Sequence, residues 1–578
     1  MINLDLKYKK FICTCIFLSL FIIGTILILI IPTNIKISYY LSTTTQDGTQ
    51  IIFNVYEPKS SDPVKKAVII GHGGMASKEF MKGYAIELAC AGFVVVTFDF
   101  RGHGQSSGEF NLSMMVYELR AIKQYLNSRP DIDIHNLTYI GYSVGGYPGL
   151  QVVKNDTDFK CFVGVGTGLP TPEYLPNCVV PANSGRRLNI LIIQAKFDEA
   201  ISLDHLKIGM ALRLNTTVDN IDLNKLYGSF KDGNASMILL DDNSDHLLLC
   251  WDETFIRAAR DWVINSYPDV KAVDENFYLN LRKLILFIQV VGGIGFFFLI
   301  LDPLCRVFTP IKNDHSKNNL FKKIELPHES ISSLSKKYIL YSIFLGIPGM
   351  AIMLPVLVFL PLTIAGVILA LLFGQCFGTL ILLWRSGKKN ETSLLNMIKT
   401  PFKIPKIRLL KEICLGIILT SILYIIIYLS FGLNCLGFIP GLFKLPWSPI
   451  YYAIGMVIML IYALFFQLII LNKFDNSIKD QLKAILLIFG LLMSYICIYI
   501  IVPCIIINNY FIIIFLYIIT PLVLLVSAIS VVLYKKSGNV VSSSIIITTI
   551  IVSLACTLAP YINIFNALIT GQPFIIGM

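Results

Sequence analysis

Gly141-Tyr142-Ser143-Val144-Gly145 sets a serine between two glycines, after the short β-forming run Leu137–Gly141 and before a helix start. Such glycines permit a tight, strained turn that lifts a hydroxyl above a sheet edge, and the helix N-terminus behind it favours a developing alkoxide. The five-residue pattern is weak alone, because glycine and serine are abundant, and its bland reading is an ordinary strand-to-helix turn. Its place between strand and helix makes acyl transfer through Ser143 the sharper reading. A serine needs a base, and the base needs an orienting acid. Asp198 follows the run Leu191–Lys196, and His246 follows the run Met237–Leu240. His246 would take the Ser143 proton and return it to the leaving group, while Asp198 would fix the imidazole tautomer. The oxyanion needs backbone N–H donors. Val144, next after the serine, supplies one, and the turn His72-Gly73-Gly74-Met75 supplies the other, at Gly74 or at Gly73 or Met75 beside it.

Other residues compete. Of seven histidines, His135 precedes a strand, His205 lies beyond Asp198, and His315 and His328 fall in a segment rich in lysine. His72 and His103 do lie in loops at the same end of the strands as Ser143. Glu199 and Asp204 compete with Asp198 for the role of acid.

The elements that must position these groups alternate. Ile35–Ser42 and Gln50–Tyr56 flank a turn with Asp47-Gly48, a hairpin signal. Strand-like runs follow at Lys66–Gly71, Phe93–Phe98, Leu137–Gly141, Cys161–Val165, Asn189–Ala195 and Ala235–Leu240. Between them the sequence predicts helices over Phe80–Ala91, with Ser77 as cap, over Ser113–Ser128 and over Trp251–Val263. Strands alternating with helices predict a mostly parallel sheet covered on both faces, with functional groups at the carboxyl ends of the strands.

His72-Gly73-Gly74, Phe98-Asp99-Phe100-Arg101-Gly102-His103-Gly104-Gln105-Ser106 and Gly141-Tyr142-Ser143-Val144-Gly145-Gly146, with Asp198 and His246 behind them, resemble the α/β-hydrolase superfamily. More narrowly they look like its serine aminopeptidase and monoacylglycerol-lipase-like branch. The resemblance implies an α/β-hydrolase fold, the chain order serine, acid, histidine, and no metal or cofactor. It implies that Arg101 and His103 hold loops in place. Residues 169–187, where many relatives carry a helical lid, are short and hold Pro170, Pro172, Pro176 and Pro181, so the family's substrate preference does not carry over.

The remainder of the 578 residues is different in kind. The chain is 55% hydrophobic and only 15% charged, against about 25% charged in soluble domains. The run from Phe11 to Ile31, preceded by lysines, is long enough to cross a bilayer and lacks a small-residue cleavage site, so it reads as an uncleaved signal anchor. Further apolar runs near 282–301, 338–360, 362–384, 410–431, 449–472, 484–507, 509–533 and 543–565 bring the expected spans to about nine. This divides the chain into 1–31 (anchor), 32–275 (α/β unit) and 276–578 (an all-α transmembrane bundle).

The basic residues fall in alternate loops: the N-terminus, 302–337, 385–409, 473–483 and 534–541. The opposite loops, 432–448, 508 and 566–578, carry only Lys444. The positive-inside rule then predicts a multi-pass cell-membrane protein with a cytoplasmic N-terminus and residues 32–275 outside. The net charge of +11 reports that topology and implies no nucleic-acid partner. Segment 302–337 has no apolar period and reads as a linker. Only Cys90, Cys161, Cys178 and Cys250 of the 13 cysteines lie in 32–275, with no C-x-x-C pair, which disfavours zinc and leaves free thiols or a Cys161–Cys178 bridge. Few ionisable groups fall inside the spans, which favours anchoring over ion-coupled transport.

Two functions of different class follow. One is a serine hydrolase at the outer membrane face, acting on an acyl ester or on a peptide or amide. The other is a transport or sensing protein whose hydrolase-like unit only binds a ligand.

Overall fold

The β-branched runs pair into one eight-stranded sheet in a computed structural model that describes residues 6–60, 62–309, 329–389 and 393–562. His315, His328, the middle of segment 302–337 and the 566–578 tail lie outside the described residues. The strands are β1 (Ile35–Thr44), β2 (Gln50–Pro58), β3 (Lys65–Gly71), β4 (Val94–Phe98), β5 (Ile132–Tyr142), β6 (Phe159–Val165), β7 (Asn189–Phe197) and β8 (Ser236–Asp245). Their order is β1-β2-β4-β3-β5-β6-β7-β8. The expected hairpin β1–β2 is antiparallel, as is β2–β4, and every other neighbouring pair is parallel.

Side chains alternate across the sheet with the period of two that a pleated strand imposes. Val68, Ile70, Val95, Ile140, Val163 and Leu191 point to one face, against α2 (Lys82–Cys90) and α6 (Glu253–Ser266). Ile69, Val96, Tyr139, Phe162 and Ile192 point to the other, where α3 (Val116–Asn127), α4 (Gly146–Asn155) and α5 (Leu203–Leu214) lie. Both faces are buried, which is why these strands read as nearly continuous apolar runs. The expected start of α2 needs correction. Its N-cap is Met81, without a side-chain hydrogen bond, and the Ser77 hydroxyl instead donates to the carbonyl of Leu436. All cysteines carry free thiols.

The apolar runs are helices. The first, α1 (Leu6–Ile30), packs along α7 (Leu279–Phe308). A Cβ added at Gly24, Gly292 or Gly295 would meet the partner helix at 2.7 Å or less, so these glycines let the two backbones approach, as small residues do between membrane helices. Gln289 donates across the contact to Thr25 and to the carbonyl of Leu429. Then come α8 (Ile331–Phe359), α9 (Thr363–Lys389), the short α10 (Leu394–Lys399), α11 (Lys406–Ile427), α12 (Ser448–Phe465), α13 (Ile478–Ile507), α14 (Leu516–Ser537) and α15 (Val541–Leu558). Gly374 and Gly378 of α9 sit against Gly346, Gly349 and Tyr341 of an antiparallel α8. Among the described residues, eight helical stretches are long and apolar enough to cross a membrane.

Several boundaries differ from the sequence reading. α7 continues through Pro303 to Phe308 and α8 begins at Ile331, so segment 302–337 is helical at both ends. α11 runs on as a wider helical turn over Tyr428–Leu436. The run expected as a span from 509 is one apolar helical stretch from Phe511 to Ser537 whose first turn is tightly wound. Phe511–Phe515 is a tight 3-10 turn, and α14 starts only at Leu516.

The two ends of the helical region differ. At one end Asp302 gathers Lys10, Arg306 and Lys536. At the other, helix termini and loops meet the sheet-bearing unit. Lys82 donates to the Leu433 carbonyl at 2.8 Å and to the Tyr39 hydroxyl. Phe110 donates its N–H to the Tyr561 carbonyl, Tyr561 donates to Gly102, and Gly441 donates to Gly104. The loop that carries Arg101 and His103 is therefore paired through its backbone with the helical region.

Candidate functional site

Ser143 follows the last residue of β5 with φ of +51°, a left-handed conformation that costs a non-glycine residue energy and recurs at functional turns. What holds it there is packing behind the turn. A Cβ at Gly145 would lie 2.4 Å from the His72 carbonyl oxygen, and the Tyr139 hydroxyl donates to the Gly145 carbonyl at 2.6 Å. The turn Ser143–Gly145 leads into α4.

Ser143, Asp198 and His246, remote in sequence, meet at the carboxyl ends of β5, β7 and β8. His246 Nε2 lies 2.9 Å from Ser143 Oγ, and His246 Nδ1 lies 2.7 Å from Asp198 Oδ2. With a proton on Nδ1, His246 donates to Asp198 and accepts from Ser143. Both Asp198 and His246 are buried, and Ser143 is half-exposed. Asp198 Oδ1 accepts from the Ala200 N–H at 2.9 Å, which fixes the carboxylate plane. Asp245 accepts from the N–H groups of Leu247 and Leu248, so the chain turns sharply around His246.

Gly166, just after β6, belongs to the same arrangement, a role that the sequence reading missed. Its φ is +54°, and a Cβ there would lie 3.1 Å from Asp198 Oδ2, 3.1 Å from His246 Cε1 and 2.7 Å from Leu249. Its sequence signal is a glycine ending a strand, as Gly141 nearly does in β5.

The competing residues are otherwise engaged. His72 accepts from the Phe100 N–H on Nε2 and so donates from Nδ1 to the Gly73 carbonyl, and burial pulls its imidazole down to about 4. His103 packs edge-on to His72 and Phe110, and burial, then His72 and Lys444, hold it well below the ordinary range. His205 contacts the Leu169 carbonyl, and His135 contacts Asp158. Asp204 stands in the first turn of α5. Glu199 accepts the backbone N–H of Tyr510. Arg101 is bound to Glu118 and Asp47.

Asp99 knits the turn at 72–79 to the loop at 101–106. It accepts from Lys78 N–H at 2.7 Å, Lys78 Nζ at 2.8 Å and Gln105 N–H at 2.9 Å. Burial alone would raise its carboxyl, but Lys78 and His72 outweigh burial and hold it below the usual carboxylate range. Gly73 passes close behind Ser143, since a Cβ on it would lie 3.0 Å from the Ser143 Cβ. Gly74 and Met75 follow in a half-exposed turn, with Met75 at φ of +53°. Met75 also packs against the core of the helical region.

A second unforeseen neighbour is Phe511. Its ring meets the His246 imidazole edge-on, with centroids 5.3 Å apart. It comes from the turn between α13 and α14, whose apolar sequence gave no sign that it rests on the sheet-bearing unit.

Residues 62–229 match the family described as serine aminopeptidase, S33, a stretch that contains Ser143 and Asp198 and ends before His246. Two uncharacterised proteins from two strains of Mycobacterium tuberculosis are each 29% identical over 101 residues, 18% of this chain and 36% of theirs. The match thus spans about a third of the length of these curated relatives. Among solved structures, an esterase of Pyrococcus furiosus is similar at 16% identity and a TM-score of 0.30, covering 39% of this chain and 91% of that one. A CIB-like hydrolase of Thermoplasma acidophilum is similar at 16% identity and a TM-score of 0.30, covering 40% of this chain and 99% of that one.

Proposed function

The sheet-bearing segment has the α/β-hydrolase fold, and we propose that it is a serine hydrolase, embedded in a membrane by the helical region, that cleaves an acyl ester through Ser143, His246 and Asp198. The observation that carries this reading is the hydrogen-bonded chain from Ser143 to His246 to Asp198, at 2.9 and 2.7 Å. Ser143 Oγ attacks the ester carbonyl while its proton passes to His246 Nε2. The imidazolium that forms lies against the Asp198 carboxylate, which stabilises it. The N–H groups of Val144 and Gly74 receive the oxyanion. The tetrahedral intermediate collapses with His246 protonating the departing alcohol, leaving an acyl-serine. Water, deprotonated by the same imidazole, then releases the acid and restores Ser143. A peptide or amide would follow the same steps with an amine leaving.

The placement follows from charge. Residues 1–31 would anchor the chain, 32–275 form the catalytic unit and 276–578 the membrane bundle. The basic residues Lys10, Arg306 and Lys536 meet at Asp302, at the end of the helices away from the sheet-bearing unit. That supports a cytoplasmic N-terminus with the catalytic unit outside.

A fluorophosphonate probe added to membranes holding the full chain tests the assignment. The wild type should be labelled on the peptide containing Ser143, and Ser143→Ala should lose both labelling and ester turnover. Turnover retained by folded Ser143→Ala would refute it, and absence of any labelling would favour a ligand-binding unit.

A further inference from the structure

Resting on that reading, we propose that the turn between α13 and α14, residues 508–515, is the substrate-selecting wall of the site, with Phe511 as its key side chain, and that the substrate is an ester with a long hydrocarbon tail drawn from the membrane. The general base must stand beside the leaving group, so whatever abuts His246 borders the path of the substrate. Phe511 does so edge-on at 5.3 Å.

The turn is held in register with the catalytic groups from both sides. Tyr510 donates its N–H to Glu199, the residue after Asp198. Tyr517, one residue into α14, faces Asp245, the residue before His246. Ile514 is buried in the same apolar core as Val163 and Leu191 of the sheet, with Phe511 and Phe515 packed around it. Opposite, Met75 of the oxyanion-side turn packs on the helical core. The helical region therefore contacts the site on two sides.

The neighbouring surface points to the source of the substrate. The last turn of α13 carries Ile505, Ile506 and Ile507, which are 59%, 77% and 69% exposed. This row of bare isoleucines belongs to a helix long and apolar enough to cross a membrane, and hydrocarbon is the medium that would cover it. The site thus stands at the edge of the lipid, where a tail leaving the bilayer meets apolar protein and not water. The segment at 169–187 offers no comparable cover. Its only helical element is the turn Pro176–Cys178.

The test measures kcat/KM for paired esters with the purified full chain in detergent. p-Nitrophenyl palmitate against p-nitrophenyl butyrate varies the acyl side, and hexadecyl butyrate against ethyl butyrate varies the alcohol side. The wild type should prefer the long member at least tenfold in one pair, which identifies the side that lies on the turn. Phe511→Ala and Glu199→Ala should each lower that long-to-short ratio at least fivefold. A ratio is independent of the fraction of protein that is folded, so a destabilised variant still reports. A wild type without preference for a long chain, or both variants retaining the wild-type ratio, would overturn the proposal. Loss of all Ser143-dependent turnover in the wild type would instead overturn the hydrolase reading, and this proposal with it.

Discussion

The Tyr142 hydroxyl donates to the backbone carbonyl of His246 at 3.0 Å, so the residue before the proposed nucleophile grips the backbone of the proposed base. Both groups are buried. Tyr142→Phe leaves that carbonyl without its donor, a cost of ~1–3 kcal/mol. Because the loss falls on the placement of His246, kcat should drop about tenfold while KM changes little. Steady-state kinetics on p-nitrophenyl butyrate decides this, and an unchanged kcat would show that the tyrosine serves packing alone.

The three groups of the hydrogen-bonded chain should fail in a defined order. His246→Ala is expected to cost about as much as Ser143→Ala, on the order of 10⁶ in kcat, because such groups act as a unit. Asp198→Asn should cost less, roughly 10⁴, since it mis-sets the tautomer but leaves both reacting groups in place. His103→Ala is the control. Activity should fall modestly and the fluorophosphonate should still label Ser143.

Gly166→Ala adds one methyl group where φ is +54° and where Leu249, Asp198 and His246 leave less than ordinary contact distance. The pair must shift to make room. Displacements of ~1 Å cost about 100-fold, so kcat should fall ~10- to 100-fold. Thermal denaturation should still show a folded protein. Wild-type turnover in this variant would mean that the Asp198–His246 geometry is slack.

His72 gives a pH signature of known sign. Burial lowers its folded-state value from 6.5 to about 4, so between those limits the unfolded chain binds more protons and stability rises with pH. The contribution is fully present above pH 6.5 and is lost as pH falls towards 4, up to about 3 kcal/mol. Other groups titrate in the same window, so the informative quantity is a difference. The destabilisation of His72→Asn relative to wild type should be largest at pH 7 and shrink towards pH 4.5. Melting temperatures in detergent at the two values measure it, and a constant difference would contradict a neutral buried imidazole.

Orientation is tested by thiol labelling of intact cells. An introduced cysteine at the exposed Asn183 should react with an impermeant maleimide, and one at the exposed Lys388 should not. The reverse pattern would invert the topology.

Val94–Phe98 and Leu191–Ala195 were legible as strands because burial on both faces demands near-continuous apolar runs. Ser143, Asp198 and His246 were legible because each follows such a run. Glu199, adjacent to Asp198, competes with it for the role of acid on pattern alone. What separates them is that one accepts from His246 and the other from Tyr510. Phe511–Phe515 opens a stretch apolar enough to cross a membrane, yet Phe511 and Ile514 pack on the sheet-bearing unit. Hydropathy records what a side chain leaves, which is water, and not whether lipid or protein receives it. Lys444 shows the same blindness from the other direction. The sole basic residue of the opposite loops, it is buried and donates to the carbonyls of Thr557 and Ala559, with burial pulling it down to about 8.

The pairing of α1 with α7 sets a schedule for biosynthesis. The partners are separated in the chain by the whole sheet-bearing unit, so at ~5–20 residues per second the first helix waits on the order of 10–50 s for the second. Through that interval Gly24 and Thr25 lack their partners on α7, because Gln289 does not yet exist. The unit made in between has its strands before it has Phe511, Met75's packing partners or the loops that pair with Gly102 and Gly104. The nascent chain therefore passes through a stage with its proposed catalytic groups translated and the turn at 508–515 not yet made.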